Sequence, residues 1–168
     1  MPADTATGAR NRSLLLLGFY AALRREELVS LRVEDLTVVT EEEDPLNPGL
    51  LVLVRSSKTD RRGAGVEVAI SRTWLDPDPV VAVQAWLEVR GGAPGPLFTN
   101  IGGRGPRLDE SDRETRALSG KAVSRILQAA VSGIGEDSST YSAHSLRSGF
   151  ITTAALAGVE PRLIKDQT

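Results

Sequence analysis

The hydrophobic period changes twice along this chain, from helical to alternating and back, and that change limits its fold more than any other feature. From Arg10 to Leu23 the apolar positions Leu14, Leu17, Gly18, Ala21 and Ala22 recur at helical spacing. Leu15, Leu16 and Phe19 widen the stripe, which predicts a mostly buried helix. A short helix follows from about Glu26 to Leu31. Then Leu36 to Thr40, Leu50 to Arg55 and Val66 to Ile70 are β-branched or alternating, the signature of three short strands in a meander. Helical signals return at Asp78-Pro79, a cap followed by proline at the first helical position, and reach Arg90. Gly91 to Arg116 is Gly/Pro-rich and charged, a long loop anchored at Leu97-Phe98. Ser119 is expected to cap a helix through Val131, Ser142 another through Ala157, and Pro161 to open one more. The pattern predicts an α+β fold, mainly helical, with a three-stranded antiparallel sheet at one edge.

A length of 168 residues fits one domain, and 40% apolar residues suffice for its core. Met1 to Gly8 is small and polar, so residues 1–9 are expected to fray and 10–168 to form the folded body. No apolar run approaches the roughly 18 residues of a membrane span, and Leu14 to Leu17 is too short for a signal-peptide core, so a cytoplasmic location is expected. The absence of cysteine excludes thiolate nucleophiles and cysteine metal sites, and the single histidine, His144, excludes centres that need two imidazoles. A net charge of -2 is not that of a strongly basic nucleic-acid binder. Yet 17 of the 20 basic residues are arginine, whose planar fork suits phosphate, so their placement matters more than their sum.

Three stretches carry candidate chemistry. Leu23-Arg24-Arg25-Glu26-Glu27-Leu28 puts two arginines at a helix junction before carboxylates; read alone it is either a solvated turn with local ion pairs or a phosphate site. Ser56 to Ala64 holds Lys58 in a turn between strands, either an edge charge that discourages aggregation or an ammonium able to protonate a leaving alkoxide. Ala143-His144-Ser145-Leu146-Arg147 sets His144 and Arg147 three apart at a helix start, where they share a face. There His144 either bonds nearby backbone or faces an anion with Arg147.

Taken in order, these stretches resemble the catalytic domain of the tyrosine recombinases, or phage integrases. Ala22 to Leu36 is similar to the family's first arginine box, Ser57-Lys58-Thr59 to its hairpin lysine, and Ala143 to Gly149 to its second box. Leu156-Ala157-Gly158-Val159 and Ile164 to Thr168 continue as the family does. The resemblance implies metal-independent breakage and rejoining of double-stranded DNA through a 3′-phosphotyrosyl intermediate, with no cofactor and no small-molecule substrate. It implies catalytic roles for Arg24, Lys58, His144 and Arg147, a bracing role for Glu27, and self-association into a tetramer on DNA. The same residues serve type IB topoisomerases, but the short segment between hairpin and second box suits a recombinase better. The family's nucleophile is a tyrosine after the second box. Tyr20 lies before Arg24 and reads as core, and Tyr141 precedes His144 and reads as a loop residue. The expectation is therefore a catalytic-domain stretch lacking its C-terminal tyrosine segment and unable to cleave DNA alone. The rival expectation is a non-catalytic DNA-binding or regulatory remnant.

Overall fold

The computed structural model describes residues 5–55, 65–73, 76–101 and 116–168. Lys58 lies outside the described residues, as do residues 1–4 and much of the expected loop before Arg116. Helix α1 spans Ala6–Tyr20 and α2 Arg25–Ser30; a 3-10 turn, Val33–Asp35, leads into the strands β1 (Leu36–Val39), β2 (Gly49–Val54) and β3 (Val66–Ser71). Helices α3 (Pro79–Arg90), α4 (Gly120–Gly133), α5 (His144–Leu156) and α6 (Pro161–Gln167) follow. The order of helices, sheet and helices is the one the hydrophobic period predicts.

The strands pair antiparallel in the order β1-β2-β3. Their register sets Leu36 and Val68 opposite Val52, and Val38 and Ile70 opposite Leu50, so one face of the sheet is apolar throughout. Leu50, Val52, Val54, Val68 and Ile70 join Leu14 and Leu17 of α1, Val83 and Trp86 of α3, and Leu97 and Phe98 in one core. Asp78 caps α3 by accepting from the N–H groups of Val80 and Val81 at 2.7 and 3.2 Å. The Trp86 indole, fully buried, donates to the Leu97 carbonyl at 2.9 Å. Arg55, just past β2, is held by the buried Asp35 carboxylate, which also accepts from the Arg32 N–H. Among the described residues no helix is long and apolar enough to cross a membrane.

Several boundaries differ from expectation, two of them at helix starts. Helix α1 starts at Ala6 instead of Arg10, because the Thr5 hydroxyl accepts from the Gly8 N–H and caps it, so residues 6–9 are helical. Arg10 is buried, its guanidinium donating to Asn11 Oδ1 and to the Thr99 carbonyl, and burial lowers its pKa. Ser142 does not cap α5 with its side chain. Its N–H donates instead to Ser145 Oγ, and Ala143 is the capping position.

Candidate active site

Arg24 is placed by the way α1 ends. Ala22 is left-handed, with φ of 49°, the Leu23 N–H reaches back to the Gly18 carbonyl and the Ala22 N–H to that of Phe19. This is the hydrogen-bond pattern of a Schellman ending, here with alanine where glycine is usual, at a cost of about 1 kcal/mol. The turn sets Arg24 as the residue before α2. Glu27, at the third position of α2, reaches back: its carboxylate accepts from the Arg24 N–H at 2.8 Å and from an Arg24 Nη at 2.8 Å. Glu27 is buried while Arg24 keeps 30% of its side chain exposed, so the carboxylate braces a guanidinium that still faces solvent.

Arg147 comes to the same place from α5, far along the chain. One Nη donates to the Ala22 carbonyl at 2.7 Å and the other to the Thr168 carbonyl. Burial, and after it the like charge of Arg24, hold the Arg147 pKa below its ordinary value, with Glu27 pulling the other way. Arg147 thus feels the charge of both Arg24 and Glu27. Arg24, Glu27 and Arg147 line one cleft of about 280 Å3, walled by Ala21 to Leu23, by Val54, Val66 and Val68 of the sheet, and by Lys165 to Thr168. Two guanidiniums, braced from behind and open to a cleft, can hold the oxygens of a phosphodiester.

The structure therefore brings together Arg24, Glu27 and Arg147. His144 is exposed at the first position of α5, one turn before Arg147, and is not among the residues lining the cleft. The connection that carries Lys58 leaves the sheet after Val54 and returns at Val66, and both of those valines line the cleft. Neither tyrosine lines it: Tyr20 is half-buried with its ring edge-to-face on Phe19, and Tyr141 is exposed beside Ser145 and Ser148.

A second group of cations escaped the sequence reading. On α4, Lys121, Ser124, Arg125 and Gln128 follow the spacing of one helical face. Ser124 Oγ accepts from the Ala143 N–H at 3.3 Å and Gln128 donates to the Tyr141 carbonyl at 2.9 Å, so that face abuts the segment entering α5. Lys121 and Arg125 are exposed on it. Arg25 lies over the start of α4, where a Cβ on Gly120 would come within 2.7 Å of its Nε. The signal was available, since Lys121 and Arg125 stand four apart on a predicted helix, but their neighbours in space were not.

Comparison with known proteins identifies the class. The fold is that of tyrosine recombinase catalytic domains. A solved structure of XerH site-specific recombinase bound to difH substrate superposes with a TM-score of 0.65 over 99% of this chain and 41% of that one, at 16% identity. XerA recombinase gives 0.62 over 96% of this chain and 48% of that one, at 20% identity. In sequence as in fold the chain is similar to the tyrosine recombinases. It is 34% identical over 168 residues to the integrase/recombinase xerD homolog of Selenomonas ruminantium, covering 98% of this chain and 45% of that relative. It thus spans less than half the length of these relatives. No family model matches it.

Proposed function

We propose that residues 10–168 form the catalytic body of a site-specific recombinase that breaks and rejoins double-stranded DNA through a 3′-phosphotyrosyl intermediate. The observation that carries this reading is the convergence of Arg24 and Arg147 on one cleft that Glu27, bonded to Arg24, also lines. Attack on a phosphodiester builds negative charge on its non-bridging oxygens, and Arg24 and Arg147 stabilise that charge. Lys58, on the connection that begins and ends at the cleft wall, protonates the departing 5′ oxygen, and His144 takes the nucleophile's proton or bonds the scissile phosphate. Glu27 holds Arg24 in place. Neither Tyr20 nor Tyr141 is the nucleophile in this reading, since neither lines the cleft. The protein acts in the cytoplasm and assembles as a tetramer on its DNA.

Lys121, Arg125 and Arg25 extend the positive surface beyond the cleft and supply backbone contacts to the flanking duplex. In this reading a chain of net charge -2 binds DNA through where its cations sit, and not through their sum. The test is duplex affinity as a function of salt. Arg24→Ala, Arg147→Ala, Lys121→Ala and Arg125→Ala are each expected to lower the slope of log affinity against log salt by about 1, whatever the DNA sequence. Arg12→Ala, on α1 and paired with Asp76, is the control and should leave the slope unchanged. Slopes untouched by the two cleft arginines would overturn the proposal. With a nicked duplex, these 168 residues alone are expected to form no covalent adduct; an adduct through Tyr20 or Tyr141 would refute the assignment of the nucleophile.

A further inference from the structure

Arg147 is oriented by two backbone carbonyls, and one of them belongs to a segment that needs its own anchor. The Thr168 carbonyl follows α6, a short helix that buries only Ile164. The anchor is the side chain of Gln167. Its Nε2 donates to the Tyr20 carbonyl at 3.2 Å and to the Ala69 carbonyl at 3.2 Å. Tyr20 closes α1, and a helix's last carbonyls have no partner within the helix. Ala69 lies on β3, the edge strand on that side of the sheet, which leaves its outer carbonyls for other donors. Both amide hydrogens of Gln167 are thus used to fasten the end of α6 between α1 and β3.

We infer that Gln167 is a positioning residue for Arg147. Because Gln167 and Thr168 are neighbours, fixing the carboxamide fixes the carbonyl that receives the Arg147 Nη. The second Nη goes to Ala22, whose place is set by the end of α1. Two of the five guanidinium N–H groups are then taken by carbonyls of fixed position, and the rest are held ready for phosphate oxygens. Gln167 does for Arg147 what Glu27 does for Arg24, with the difference that it acts through the main chain of the next residue. The assignment rests on the reading that Arg147 binds a DNA phosphate.

A double-mutant cycle on duplex binding tests it, with Gln167→Met, which keeps the side chain's length and loses both donors, and Gln167→Ala as a second variant. In the otherwise unchanged chain each is expected to weaken binding by about tenfold, the scale of a misaligned charge-assisted contact. In the Arg147→Ala background neither should weaken it further. A residue serving only the fold would cost the same factor in both backgrounds, and that result, or no loss in either, overturns the inference. If Arg147→Ala itself leaves affinity unchanged, the phosphate reading fails and the role of Gln167 falls with it. If Arg147→Ala weakens binding and neither Gln167 variant does, the function stands and Gln167 acts elsewhere, which also overturns the inference.

Discussion

Gly18→Val is expected to lower the stability of the fold by about 2 kcal/mol, a drop of about 4–8 °C in melting temperature for a chain of this size, and to remove most DNA binding. A Cβ at Gly18 would come within 2.9 Å of both Leu146 Cδ1 and Leu28 Cδ2. Leu28 is on α2 behind Arg24, and Leu146 precedes Arg147 on α5. Glycine at this one position therefore lets two helices close on α1 together, and the arginines approach because their helices do. Valine adds two methyl groups beyond the Cβ and is stiff at χ1, so the leucines must move apart. Gly18→Ala should be far milder, since the contacts are flexible leucine ends and alanine gains about 1 kcal/mol of helix propensity over glycine. Thermal melting and duplex affinity of the two variants check this together. A valine variant as stable as the parent would mean that the helices do not meet at Gly18.

Glu27→Gln is expected to weaken DNA binding by about tenfold, or about 1.4 kcal/mol. The sign is what makes this informative. Removing a carboxylate brings the net charge closer to neutral, and long-range electrostatics alone would strengthen the attraction to DNA. The opposite is expected because Glu27 accepts two bonds from Arg24, one from the backbone N–H and one from the guanidinium. An amide offers one accepting oxygen, and its NH2 would face a donor. The buried side chain then also costs about 2 kcal/mol of stability, read by denaturant titration. Tighter binding by Glu27→Gln would show that Glu27 acts on DNA only as a repelling charge.

Where sequence and structure agree, the information was local. Pro79 behind Asp78 fixes the start of α3, and alternation at Val66 to Ile70 fixes which side chains of β3 enter the core. Arg24 and Arg147 were singled out by sequence because each stands in a box of neighbours that resembles a known family's. What was not legible depends on contacts between distant parts of the chain. Nothing around Gln167 announces that its amide will reach Tyr20 and Ala69, and nothing around Gly18 announces that two leucines will converge on it. The left-handed Ala22 is hidden for another reason: sequence rules expect glycine there, and alanine is tolerated because the surrounding helix ends over-determine the turn. Thr5 is a different case. A threonine ahead of a helical run is a readable cap, but the small polar residues around it pointed to fraying.

The two arginines stand on ground of unequal firmness. Helix α2 is pressed against α1 and the core through Leu28, next to Leu31, both almost fully buried. Helix α5 buries only Leu146 along its length, and α6 only Ile164, while Ile151, Leu156, Val159 and Leu163 remain exposed. Segments with so little buried apolar area detach at a free-energy cost well below that of global unfolding. The cleft accordingly comes apart from one side: Arg147 departs with its helix while Arg24 stays with the core. Whatever covers the outer faces of α5 and α6 tightens the phosphate site without touching it, because the work of holding the second arginine in place is then shared.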